Sequence, residues 1–116
     1  MSLNAEALLA SKDLTVELVK TPEWGGDVYV RSMQGRELGV FSKLLKGTRE
    51  VQEFPIEAVA TVCALSLCDE KGTRLFPDHE KGQKQLSEKN ASVLQRVFEV
   101  AMRLSSLTGD KSAGKT

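Results

Sequence analysis

One histidine, two cysteines and no surplus of either charge leave this sequence few routes to chemistry. A metal site built on His79 would have to draw its remaining ligands from carboxylates, and His79 lies between Asp78 and Glu80 in a stretch that reads as solvated. No metal or cofactor is therefore expected. Cys63 and Cys68 have no second pair with which to complete a zinc set, and a small secreted domain would carry more cysteines, in spread-out pairs. Neither has a cationic neighbour that would favour the thiolate. Buried free thiols in a reducing cytoplasm are the expectation. Lys plus Arg equals Asp plus Glu, 16 each. That balance removes the clustered cation on which nucleic-acid and anionic-membrane binding depend. No apolar run approaches the roughly 20 residues of a membrane-spanning helix, and the first residues lack the cationic start and long apolar run of a secretory signal. A neutral chain has little self-repulsion to oppose association, so a homo-oligomer is expected.

What is present suits one small globular domain: 116 residues, 41% apolar and 28% charged. Residues 3–10 read as a short helix. Asp13 to Lys20 alternates with period two, Leu14, Val16 and Leu18 on one face and Thr15 and Glu17 on the other, as a half-buried strand does. Thr21-Pro22-Glu23-Trp24-Gly25-Gly26-Asp27 carries strong turn chemistry. Val28 to Ser32 then alternates again, Val28 and Val30 opposite Tyr29 and Arg31, which completes an antiparallel hairpin. A lone hairpin is marginal in water, so its apolar face must pack on helices.

From Gly35 the period changes to that of a helix, with Leu38, Phe41, Leu44 and Leu45 on one face and Arg36, Glu37, Ser42, Lys43 and Lys46 mostly outside it. Gly47 is a natural stop, and Thr48 to Phe54 reads as a loop. Pro55 suits the first position of the next helix. In that helix Ile56, Val59, Ala60, Cys63 and Leu67 line one face, and Val62, Ala64 and Leu65 make the opposite face apolar too. Such a helix is either central or covered by another subunit. Asp69 to Arg74 is a polar tip, and Leu75-Phe76 should tuck back onto the core. The charged segment Asp78 to Gln85 has room for one helical turn. Ser87 or Asn90 can cap a last helix with the stripe Leu94, Val97, Phe98, Ala101 and Leu104, ending near Leu107 and Gly109. The pattern gives an α+β, mostly α fold: an N-terminal β-hairpin packed on three to four helices, residues 1–108, and a disordered C-terminal tail, residues 109–116.

The residues do not assemble a catalytic constellation, and no enzyme is expected. The tail 109–116 matches G-x-x-x-x-G-K-[ST], the phosphate-binding loop pattern. That loop works only between a buried strand and a following helix whose N–H groups face the phosphates, whereas here an amphipathic helix precedes it and no helix follows in the sequence. Two aromatic residues bear on binding. Tyr29 falls on the outer face of the second strand, and Trp24 in the turn either caps a small core or presents an interface anchor.

The hairpin Pro22-Glu23-Trp24-Gly25-Gly26-Asp27-Val28-Tyr29-Val30-Arg31, then Gly35-Arg36-Glu37 opening a helix, then Ala64-Leu65-Ser66-Leu67-Cys68-Asp69-Glu70-Lys71-Gly72-Thr73-Arg74-Leu75-Phe76, resembles the tail assembly chaperones of phages with long, non-contractile tails. The resemblance runs from about Leu14 to Leu107. It implies a chaperone in the host cytoplasm that binds the tape-measure protein, keeps it soluble, and is not incorporated in the mature virion. It also implies recruitment of the tail tube protein through a form extended by ribosomal frameshifting, for which Gly114-Lys115 is a suggestive position. A structural tail-completion or neck protein of the virion is the alternative. Helix-in-groove contact with apolar client helices would use Phe41, Leu44, Leu45, Val62 and Leu65, whose apolar faces exceed what one small core needs. Trp24 and Tyr29 complete the candidate partner or oligomer residues.

Overall fold

The alternating segments 16–21 and 26–31 pair because a tight turn reverses the chain between them. A computed structural model describes residues 2–11, 13–44 and 55–105. Leu45, Gly47, the 48–54 segment, Leu107 and the tail 109–116 with Gly114-Lys115 lie outside the described residues. Strands β1 (Val16–Thr21) and β2 (Gly26–Arg31) are antiparallel, with Val19 opposite Val28 and Thr21 opposite Gly26. A single 3₁₀ turn, Pro22–Trp24, joins them and ends at Gly25, whose φ of 86° is one that residues with a Cβ rarely adopt. The Thr21 hydroxyl closes the hairpin by donating to the Gly26 carbonyl at 2.6 Å. A two-residue strand, β3 (Leu67–Cys68), adds to the other side of β2, giving the order β1-β2-β3.

The buried face of β1 differs from the one expected. Val19 and Thr21 are buried and Leu18 is exposed. Directly opposed residues share a face of the sheet, so the register puts Glu17 and Val19 beside Val30 and Val28, and Leu18 beside Tyr29. Because β2 turns Val30 into the core, the odd-numbered residues of β1 follow it. Leu14, Val16 and Leu18 looked inward because alternation fixes a period and not which half of it is covered.

Helix α3 (Ile56–Ser66) is buried from Ala58 to Ser66. It is enclosed by α2 (Gly35–Leu44), α4 (His79–Leu86) and α5 (Ala91–Leu104), while α5 also lies on β1 and β2. This corrects the groove assignment at three positions. Val62 and Leu65 are consumed within the subunit's own core, and Phe41 is buried with its ring edge-to-face on Phe98, centroids 6.2 Å apart. Burying each such side chain contributes about 1.5–3 kcal/mol. Pro55 stands one position earlier than expected, as the cap residue of α3.

Asp78 extends α4 to two full turns by accepting the N–H groups of Glu80 and Lys81. Of the two candidate caps, Asn90 caps α5 and Ser87 ends α4. The stripe of α5 is as read, widened by Val93 and Met102. The first helix, α1 (Ala5–Ala10), is capped by the Asn4 side chain and buries none of its residues.

Glu37 is a further correction. The helical period puts it outside the apolar face of α2, yet it is buried. Its carboxylate accepts the backbone N–H of Gln34 at 2.9 Å, capping α2 from the third helical position. The same carboxylate pairs with the buried guanidinium of Arg31 and, at 3.2 Å, with Arg74. Removing one partner of a buried ion cluster leaves a charge uncompensated, which typically costs about 3–5 kcal/mol. Glu37→Ala is therefore expected to lower unfolding stability by about that amount, measured by urea denaturation, while Arg36→Ala on the exposed side of the same turn changes it little.

Candidate functional site

The sequence from Cys68 to Pro77 folds into a turn that builds one wall of an apolar groove. Asp69 starts it: its carboxylate accepts the N–H groups of Lys71 at 2.8 Å and Thr73 at 3.0 Å. The Thr73 N–H does most to hold that carboxyl below its ordinary pKa. Gly72, at φ 90°, lets the chain reverse, and Cys68 then bridges Arg74. Arg74 donates to the carbonyls of Phe76 at 3.1 Å and Pro77 at 2.6 Å, fixing the exit of the turn. Gly82 completes the wall from α4. A Cβ there would lie 2.8 Å from the Phe76 Cβ and 3.1 Å from the Ala64 Cβ, so only glycine lets Phe76 settle between the two helices.

The opposite wall is Trp24. Its turn is clamped to α5 by Arg96, which donates to both carboxylate oxygens of Glu23 at 3.0 and 2.8 Å and to the Lys20 carbonyl at 3.1 Å. The Arg96 guanidinium, through those hydrogen bonds, brings the Glu23 carboxyl down from its ordinary value of 4.5 to about 2. Lys89, between α4 and α5, carries its ammonium 5.9 Å from the centroid of the indole ring, within cation–π range.

Between the walls lies a groove of about 390 Å³, floored by Val28, Leu67 and Leu86, with Leu75 and Phe76 on one side, Trp24 on the other and Gln85 and Lys89 at the rim. It is lined almost wholly by apolar side chains, and Leu75 remains 51% exposed beside it. The indole N–H of Trp24 is buried and has no acceptor among the described residues. Leaving such a donor unpaired costs about 1–3 kcal/mol, so a guest supplying an acceptor there would recover part of that. The arrangement can bind apolar side chains; it brings no nucleophile and base together.

Of the candidate residues read from sequence that the structure describes, only Trp24 lines this groove. Tyr29 is half-buried on the far face of the sheet, opposite Leu18 and Cys68. Leu44 is exposed at the end of α2, and Phe41, Val62 and Leu65 are core. The residues missed are Leu75, Phe76, Leu86 and Lys89. The sequence tucks Leu75-Phe76 inward as a pair, whereas of the two Phe76 packs against the core and Leu75 stays exposed. Both cysteines are free and buried. The Cys63 thiol donates to the Leu94 carbonyl at 3.3 Å, and burial pushes its pKa up to about 12. His79 is half-buried at the start of α4, and no group of three metal-ligating side chains occurs among the described residues. No described helix is long and apolar enough to cross a membrane.

Three antiparallel strands with a largely buried central helix, three further helices around that helix and an N-terminal helical arm define an α+β, mostly α fold. The solved structure of the bacteriophage HK97 tail assembly chaperone has this fold: the two superpose with a TM-score of 0.63 at 23% sequence identity, covering 85% of this chain and 94% of that one. Neither a family model nor a curated protein sequence matches the chain.

Two outcomes test how the walls are held. Gly82→Ala should force Phe76 out of its seat and destabilise the protein by about 1–3 kcal/mol, with a change in the emission of Trp24, the sole tryptophan. The folded-state pKa of Glu23 is depressed, so its contribution to stability is fully present above its ordinary value of 4.5 and is lost as pH falls through about 2. Thermal melts should show wild type above Glu23→Gln at neutral pH, with the gap closing over that acid window.

Proposed function

We propose that this chain is a phage tail assembly chaperone that binds the tape-measure protein and keeps it soluble in the host cytoplasm until the tail tube forms around it. The observation that carries the reading is the fold shared with the HK97 tail assembly chaperone across nearly the whole of that chain. The groove supplies a physical means. A long client helix exposes an apolar stripe before assembly, and such stripes aggregate unless covered. At about 390 Å³ the groove is at the small end of ligand-sized clefts. It takes anchor side chains from a helix laid across it rather than the whole helix, as helix-in-groove recognition requires. One such contact is weak, and many copies along one client make the total strong while each remains easy to displace. Recruitment of the tail tube protein, through a frameshift-extended form, belongs to the same proposal. No catalytic step is part of it.

Co-expression with the tape-measure protein of the same phage tests the reading. The wild-type chain should move that protein from the insoluble to the soluble fraction. Leu75→Asp, at an exposed position, should lose most of that effect while melting within a few degrees of wild type, since exposed substitutions usually change stability by about 0.5 kcal/mol or less. A tape-measure protein that stays insoluble with wild type present defeats the proposal.

A further inference from the structure

Two donors interrupt the apolar lining of the Trp24–Phe76 groove, and neither has an acceptor. The lining carries one charge, the Lys89 ammonium, which pairs with no carboxylate among the described residues. That ammonium stands 5.9 Å from the centroid of the Trp24 ring. The N–H of the same ring is buried and unaccepted among the described residues. Glu23, next to Trp24 in sequence, cannot serve either donor, because Arg96 holds both of its carboxylate oxygens. A charged donor and a neutral one therefore stand together in a cleft otherwise made of carbon.

A guest's backbone carbonyl could accept from the indole N–H, but it would leave the ammonium uncompensated as the guest excludes water. A carboxylate answers both donors, since it carries the opposite charge and its two oxygens accept separately. The spacing suits it: the indole nitrogen lies on the ring's own perimeter, so the two donors are separated by roughly the span of two hydrogen bonds of about 2.8 Å joined through one carboxyl group. We infer that the groove selects its guest by a carboxylate: an amphipathic helix of another protein in which an Asp or Glu one turn from an apolar anchor bridges Lys89 and the Trp24 N–H. Residues three or four apart share a helix face, so the anchor can enter between Phe76 and Trp24 while the acid reaches the rim. Resting on the groove's proposed role as a client-helix site, this adds which apolar stretches of a client are taken: those flanked by acid and not those flanked by lysine. Lys89 is exposed, so salt should weaken the selection.

Three dye-labelled helical peptides of roughly 20 residues, long enough to be helical, read it by fluorescence anisotropy against the full-length chain at low salt. They share one leucine stripe and differ at a single position one turn from a central leucine, which is Glu, Ala or Lys. The Glu peptide should bind about tenfold more tightly than the Lys peptide, with the Ala peptide between them. Lys89→Glu, at an exposed position, should invert that order while melting near wild type. Trp24→Phe keeps a ring and removes the N–H, and should narrow the advantage of Glu over Ala. Leu75→Asp should weaken all three peptides alike. Equal affinity of wild type for the three overturns the inference, as does a preference for Glu that survives Lys89→Glu, or no binding of any peptide at its highest soluble concentration. Peptide binding that is lost as the chain is concentrated also overturns it, since a second copy would then fill the groove. If the three bind equally and all depend on Leu75, the groove takes helices and only the selection fails. If the Glu peptide is preferred through Lys89 while the tape-measure protein stays insoluble beside wild type, the selection stands and the chaperone proposal fails.

Discussion

The carboxylate of Glu37 lies buried between the guanidinium groups of Arg31 and Arg74, and the placement of three elements follows from that contact. Through Arg31 it holds the end of β2, and through the Gln34 N–H it caps α2. Through Arg74 it reaches the turn that carries Phe76, because the same guanidinium donates to the Phe76 and Pro77 carbonyls. Arg31 also donates to the Gly72 carbonyl at 3.1 Å, tying β2 to that turn a second time. Buried ion clusters add little net stability over an apolar replacement of the same shape. What this one supplies is position: the groove wall stands in a fixed relation to the hairpin that bears Trp24.

The groove is thus held from both sides by charge and lined by apolar surface. Arg74 fixes one wall from within, and the Arg96–Glu23 pair fixes the other from a more exposed site, where solvent screens it. This division fits the proposed chaperone role, in which a guest would meet only a small apolar area between rigidly anchored walls and many weak contacts would add up.

Much of the fold was legible in the residues because it follows from local chemistry. Period-two alternation around Pro22 to Gly26 places the hairpin, the Leu94 to Leu104 stripe places α5, and the apolar residues on both faces of α3 mark a helix that is either central or covered by another subunit. The candidate site was far less legible. Phe41, Val62 and Leu65 are surplus to any one segment's needs, but α2, α4 and α5 close around α3 and bury them. Helix α4 has only Gly82 and Leu86 buried. A glycine that permits close approach carries no apolar signal, so the element that braces Phe76 read as a solvated turn. The segments that carry the resemblance also acquire physical reasons: Arg31 and Arg74 meet at Glu37, and Gly25 and Gly72 are the two with positive φ among the described glycines.

By itself the sequence determined where the chain turns, where helices begin, and that α3 must be covered, because turn residues, caps and apolar periods act over a few neighbours. The tertiary structure alone decided which face of β1 is buried, that Glu37 is an interior residue, that Phe41, Val62 and Leu65 belong to the core, and that Trp24 and Phe76 line one apolar groove. Those outcomes depend on register and on contacts between residues some forty to seventy positions apart, and no local pattern encodes which of two apolar faces a distant helix will reach.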